Sequence, residues 1–224
     1  IPVVFLQVTI GFLLETMLLG FIFMKVARPK HRRHTLIFSH DACVCVQDKH
    51  LVLQIRLGDI RNSHLIDAHL YGILVKKYVT AENYVFPLYQ QQIEFQADGM
   101  KDHLFLFYPM VLSHKITADS PLYTLAPEDL PDEPFELLLI LEGTIESTGE
   151  MVQAKTSISN MEVRWGYRFE QIEEYDENQD KWFINFNMFD HIVPIETPRC
   201  SAKDLTCKTI LPTEPDVMVI PTSL

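Results

Sequence analysis

The sequence predicts a membrane protein built from one transmembrane α-helix followed by an all-β sandwich domain. Three observations carry this. Residues 1–24 form an apolar run with a single charge, Glu15; a basic stretch from Lys25 to His34 follows at once; and from Thr35 onward the hydrophobic period is two. The reading divides the chain into the helix (1–24), a basic membrane-proximal linker (25–34), the sandwich (35–207) and a disordered tail (208–224).

At ~1.5 Å per residue, a helix of this length covers the ~30 Å hydrocarbon layer with some tilt. A signal peptide would need a basic segment before the apolar core and a small-residue cleavage site after it, and the run shows neither. Lys25, Arg28, Lys30, Arg32 and Arg33 all follow the run, so the positive-inside rule places the remainder in the cytosol.

Composition bounds that remainder. Of 224 residues, about 190 follow the linker, enough for one well-cored domain. A net charge of −11 with one basic collar argues against nucleic acid, and points the collar toward anionic lipid and the acidic excess toward cations. Four cysteines, Cys43, Cys45, Cys200 and Cys207, are too few for a disulfide framework. The Cys-x-Cys pair lacks the second half of a zinc site, so these read as buried or edge thiols and no metal site is expected.

Strands come from alternation. Leu51, Leu53, Ile55 and Leu57 alternate with Val52, Gln54 and Arg56, and Val163 to Phe169 alternates likewise, as half-buried strands do. Leu137 to Leu141 is an unbroken apolar run and reads as a strand buried on both faces that stops at Glu142 and Gly143. Turns are expected at 47–49, 131–134 and 175–180. Two short helices are expected, one after Ser120-Pro121 and one over 201–207 with Ser201 as N-cap. The tail carries Pro212, Pro215 and Pro221 and reads as disordered.

Hydrolase, kinase and dinucleotide motifs are absent, and nine scattered histidines form no catalytic pattern. The chain does not read as an enzyme. The residue that most needs an explanation is Glu15, because an ionisable group at a helix centre costs ~2.5 to 3.5 kcal/mol on insertion scales. It would either become neutral inside a helix bundle or face a water-filled cavity. Gln7, Gly11, Glu15, Leu19 and Phe23 recur every four residues on one face, which favours the cavity: a face that lines a pore, with Leu19 and Phe23 closing it by dewetting. A basic collar directly after a span gains ~1 kcal/mol per Lys or Arg from an anionic leaflet.

Several stretches together resemble one family. They are Gln7-x-x-x-Gly11 with Glu15, Lys25-x-Ala27-Arg28-Pro29-Lys30, Phe38-Ser39-His40, Arg56 through His64, Asp119-Ser120-Pro121-Leu122-Tyr123, Ile140-Leu141-Glu142-Gly143 and Trp165-Gly166-x-Arg168-Phe169. In order and spacing they are similar to the inward-rectifier potassium channels over nearly the whole chain. The resemblance implies a homo- or heterotetramer in the plasma membrane, with this helix lining the pore and an immunoglobulin-like cytoplasmic sandwich extending it. Potassium would be the permeant ion, and no cofactor is implied. Glu15 matches the position where magnesium or polyamines block outward current, and Asp67, Glu142, Asp98 and Asp102 resemble acidic positions of the cytoplasmic pore. Lys25, Arg28, Lys30, Arg32, Arg61 and Lys155 look like positions that bind, or tune the response to, phosphatidylinositol 4,5-bisphosphate. The gate would form at Leu19 and Phe23, with a second constriction in the loop from Gly143 to Met151, where Gly143 and Gly149 suit a tight backbone. Asp59 and His64 resemble a sodium-sensing loop, although an Asp between Gly58 and Ile60 also suits an ordinary turn.

Departures from the family pattern are informative too. The slide helix, first span and carbonyl filter do not occur in these residues and Ile1 is not a start methionine, so the chain reads as a fragment of a subunit. His31 and Asn62 stand where Lys is common, which implies weaker or pH-dependent lipid affinity. Ile158 replaces a frequent Tyr. Thr222-Ser223-Leu224 fits the terminal pattern that PDZ domains accept. The competing reading is a single-pass membrane-anchored β-domain that conducts nothing and acts as an interaction or dominant-negative partner.

Overall fold

The computed structural model describes residues 1–26, 35–60, 65–97, 100, 104–146, 149–177 and 179–210. They fall into two units, residues 1–34 and 35–224. In the first, helix α1 (Pro2–Val26) begins with proline in its first turn, where the missing N–H costs nothing, and carries Lys25 in its last turn, where a cation meets the negative end of the helix dipole. Its apolar residues run all round the axis, and Val3 to Met24 are exposed in the single chain, as a bilayer span would be before assembly. Thr9 Oγ1 donates to Phe5 O at 2.8 Å and Thr16 Oγ1 to Phe12 O at 3.0 Å, so these hydroxyls are satisfied within the helix.

The second unit is a sandwich of two five-stranded sheets. Its strands are β1 (Leu36–Phe38), β2 (Ala42–Gln47), β3 (His50–Asp59), β4 (Leu65–Val79), β5 (Val85–Glu94), β6 (Leu104–Leu106), β7 (Met110–Lys115), β8 (Phe135–Ile145), β9 (Met151–Ser159), β10 (Val163–Trp165), β11 (Tyr167–Phe169), β12 (Glu173–Asp176), β13 (Lys181–Ile184) and β14 (Ile192–Pro194), followed by helix α2 (Ala202–Ile210). One sheet has the order β1-β3-β2-β10 with β7 also on β3; the other has β5-β4-β8-β9 with β6 also on β4. Ile55, Leu57 and Leu112 from the first, and Leu74, Leu137, Leu139, Leu141 and Ile145 from the second, close one apolar core. Two small antiparallel pairs complete the unit, β11-β14 and, between them in the chain, the β12-β13 hairpin.

Local chemistry accounts for the turns. Asp48 and Lys49 both take positive φ, 50° and 65°, between the paired residues Gln47 and His50, which is the twist a two-residue hairpin requires. At the second expected turn, Asp132 N and Glu133 N both donate to Asp129 O. The third lies between β12 and β13, where the Tyr175 hydroxyl donates to Asp180 and the Tyr175 and Trp182 rings pack at 5.1 Å. Helix α2 is capped as its sequence indicates: Asp204 N donates to Ser201 Oγ at 3.2 Å.

Five expectations need correction. The stretch after Ser120-Pro121 forms successive turns, Tyr123 N to Ser120 O and Leu125 N to Leu122 O, and not a helix. Pro127 lies so close that Ala126 is disfavoured in helical conformation, and Ser120 Oγ is committed to His114 and to Leu122 N. The alternating run 163–169 is two strands, because Gly166 at φ 80° turns the chain from a parallel pairing with β2 to an antiparallel pairing with β14. Leu137–Leu141 belongs to a strand that continues through Glu142 and Gly143 to Ile145, and only one of its faces is buried; Leu138 and Ile140 are half-exposed. Conversely β3 is buried on both faces, Arg56 included. Helix α2 also runs three residues past the expected end of the domain, to Ile210. The rest of the tail, 211–224, lies outside the described residues.

Two positions yield stability tests. His114 has its Nδ1 2.9 Å from Glu94 O and its Nε2 2.8 Å from Ser120 Oγ. A carbonyl only accepts, so the neutral ring donates from Nδ1 and accepts at Nε2. Burial pushes its pKa below the ordinary value, and the Glu94 carbonyl and charge only partly oppose this. Stability from the neutral ring is therefore intact above the unfolded value of about 6.5 and is lost as pH falls below it toward the lower folded value. Thermal melts of the detergent-solubilised chain from pH 8 to 5 should lose part of their acid slope in His114→Gln; an identical slope contradicts this assignment. At Gly143, an added Cβ would lie 2.6 Å from Leu65 Cδ2 and 3.3 Å from Ala68 Cα. Leu65 is fully buried and has nowhere to move. Gly143→Ala should destabilise by about 1–3 kcal/mol in the same assay, and an unchanged melt would show that the strands spread freely.

Candidate functional site

Of the acidic residues singled out in the sandwich, Glu142 and Asp67 lie on the outer face of the β5-β4-β8-β9 sheet. Alternation along β8 sends Leu137, Leu139 and Leu141 into the core, so Glu142 points outward. Register places it across from Gln153 in β9 and from His69 in β4. Gln153 Nε2 donates to Glu142 Oε1 at 2.6 Å, and the Tyr71 hydroxyl donates to the same oxygen at 3.1 Å. The Tyr71 phenol is pushed above its ordinary pKa by desolvation first, and then by its bond to Glu142 and by that residue's charge. It therefore stays protonated as a donor.

Asp67 lies two residues before His69, where the β4–β8 register shifts between Ile66 and His69. Its φ of 53° is one that Asp tolerates better than most residues, and it is the kind of irregularity that a bulge re-aims. Asp67 Oδ1 lies 3.5 Å from His69 Nε2. Glu142 and Asp67 are thus joined through one sheet region centred on His69, a grouping that their separation in sequence does not announce. Lys155 stands on the same outward face, two residues beyond Gln153 and opposite Ile140.

The remaining residues distribute as follows. Glu15, Leu19 and Phe23 lie within the unbroken α1, together with Lys25 in its last turn. Gly143 is a strand residue chosen for close approach to Leu65 and not for a turn; Gly149, at φ 67°, is the turn residue, with its N–H donating to Ile145 O at 2.8 Å. The connection is accordingly confined to 146–150. Asp59 ends β3, paired with Leu36, and is half-buried in the sheet instead of forming a turn. Arg28, Lys30, Arg32, Arg61, His64, Asp98 and Asp102 lie outside the described residues. Among the described residues no group of three or more His, Cys, Asp or Glu side chains is arranged to hold a metal ion. Cys43 and Cys45 are buried, Cys200 is half-buried and Cys207 exposed, all as free thiols. Burial, then the neighbouring Cys45 and Asp41, push the Cys43 thiol up to about 12, which makes it inert.

Sequence reasoning missed Arg56, which it assigned to the polar face of a half-buried strand. Its guanidinium is buried, donating from Nη1 to Phe189 O at 2.9 Å and Met188 O at 3.3 Å and from Nη2 to Glu170 O, with the Phe169 ring 4.9 Å from its centre. Burial pulls its pKa down, while Glu173, Asp190 and Glu170 oppose that. One side chain thereby fastens β3 to the segments around β11 and β14. Tyr71 and Gln153 were missed as well, because each looks like an ordinary outward residue until the strands are paired.

Residues 36–209 match the model of the inward rectifier potassium channel C-terminal domain. The chain is 39% identical over 203 residues to ATP-sensitive inward rectifier potassium channel 12 of Gallus gallus, covering 90% of this chain and 47% of that protein. Inward rectifier potassium channel 4 of Mesocricetus auratus is 37% identical over 215 residues, 95% of this chain and 48% of that protein. Inward rectifier potassium channel 18 of Homo sapiens is 40% identical over 200 residues, 89% of this chain and 46% of that protein. The chain spans about half the length of these curated relatives. These are channels and not enzymes. With the domain model spanning the entire sandwich, the chain belongs to the inward rectifier potassium channel family.

Proposed function

We propose that this chain supplies the pore-lining span and cytoplasmic domain of one subunit of a tetrameric, inwardly rectifying potassium channel of the plasma membrane. The observation that carries the proposal is a single carboxylate, Glu15, midway along a helix of membrane length in a chain of this family. A charge there is costly in lipid and cheap beside water, so four copies around an aqueous axis resolve the cost. Such a ring concentrates internal magnesium or polyamine, and outward driving force presses the blocker onto it. Leu19 and Phe23 follow on the same helical face toward Lys25 and would form an apolar constriction.

The sandwich extends the conduit with a second acidic region made by Asp67 and Glu142, to which Asp98 and Asp102 would add. The loop closed by Gly149 forms the second constriction. Lys25, with Arg28, Lys30 and Arg32, gathers headgroup phosphates at the inner leaflet, Arg61 and Lys155 assisting, so that phosphatidylinositol 4,5-bisphosphate favours the open state. Asp59 and His64 would tune opening by sodium, and the terminal Thr222-Ser223-Leu224 would recruit a PDZ domain. Like subunits complete the tetramer, as homo- or heteromers.

In the full-length subunit, Glu15→Gln should weaken voltage-dependent block by internal spermine by at least about tenfold, since a ring of four charges is lost at once. Block unchanged in inside-out patches would place Glu15 away from the permeation path. Neutralising Lys25 and Arg28 together should speed the run-down of current when phosphoinositide is depleted; an unaltered run-down time would remove the lipid assignment.

A further inference from the structure

We propose that Tyr71 and Gln153 are positioning residues for cation block: they hold the Glu142 carboxylate in one orientation, with its second oxygen presented to the passing polyamine. The inference rests on the reading of Glu142 as a residue of the conduction pathway and adds what makes that carboxylate effective.

The geometry is specific. Two donors from the two strands that flank β8 converge on one atom, Oε1, at 2.6 Å from Gln153 Nε2 and 3.1 Å from the Tyr71 hydroxyl. Gln153 is the direct cross-strand partner of Glu142, whereas Tyr71 reaches it diagonally, being two residues beyond its partner His69. Among the described residues no donor reaches Oε2. A half-exposed glutamate has three side-chain torsions and, unheld, spreads its charge over several rotamers. Hydrogen bonds to an ionised oxygen are about twice as strong as neutral ones, so a clamp from both sides selects one rotamer. The ammonium groups of a polyamine then meet a fixed charge and no ordering cost is left for the encounter. Tyr71 is suited to the task because its phenol stays protonated, pushed upward by desolvation and by the carboxylate itself.

Spermine block is measured in inside-out patches on the full-length channel carrying Tyr71→Phe, Gln153→Met, Glu142→Asp or Glu142→Gln, and on Tyr71→Phe combined with Glu142→Gln. Potassium current without polyamine verifies that each variant folds and conducts. Losing one donor should weaken block by about two- to tenfold, the worth of one hydrogen bond. Glu142→Asp should do the same although its charge is retained, because the shorter carboxylate falls out of reach of both donors. On the Glu142→Gln background Tyr71→Phe should add nothing. The inference is overturned if Tyr71→Phe and Gln153→Met leave block intact while Glu142→Gln weakens it, or if Tyr71→Phe acts equally with and without the carboxylate. If Glu142→Gln itself leaves block unchanged, the underlying reading of Glu142 fails, and the inference with it.

Discussion

The pairing of β4 with β8 is the constraint on which the cytoplasmic half of the account depends. It runs from Leu65 opposite Ile145 to Lys76 opposite Phe135 and is interrupted only at the bulge between Ile66 and His69. Because side chains alternate, a slip of one residue would turn Leu137, Leu139 and Leu141 to solvent and drive Glu142 into the core, an exchange no marginally stable domain survives. Burial of the leucines therefore fixes the direction of the carboxylate. The close approach of Gly143 to Leu65 fixes the spacing of the strands beside it. Core packing and the outward charge are two faces of one register.

The membrane half depends on a different constraint. Helix α1 is apolar all round, and its threonines satisfy themselves against the backbone, which leaves Glu15 as the group whose charge a lipid environment penalises. Only water or other protein around that carboxylate relieves the penalty, and the proposed tetramer would supply it as an aqueous axis. On the proposed reading both halves would follow one electrostatic logic, with fixed negative charge along the route of a cation at mid-span and again on the sheet. The acidic excess of the whole chain, −11, would serve that proposed route.

Much of this was legible in the sequence. Period-two alternation located β3 and the stretch of β10 and β11, an unbroken apolar run marked part of β8, a turn was expected at 47–49, and Ser201 marked the start of α2. What could not be read were features that depend on a second strand. Arg56 alternates like any polar residue on a half-buried strand, and nothing nearby in the chain reveals the carbonyls of Met188, Phe189 and Glu170 that make its burial tolerable. Gly166 breaks a seemingly continuous strand because backbone conformation, not hydrophobic pattern, decides where pairing changes partner. The apolar run in β8 looked buried on both faces, yet the outer face of its sheet carries no second layer among the described residues. Glu142, Tyr71 and Gln153 meet only once three strands are in register, so their partnership has no linear signature.

The most direct test of the central claim is a cryo-electron-microscopy structure of the assembled full-length channel, read for the direction of two side chains. The account predicts that the Glu15 and Glu142 carboxylates of all four subunits face the central axis, with Glu142 held by Tyr71 and Gln153 of its own subunit. A Glu15 side chain turned into lipid or packed against a neighbouring helix would contradict it.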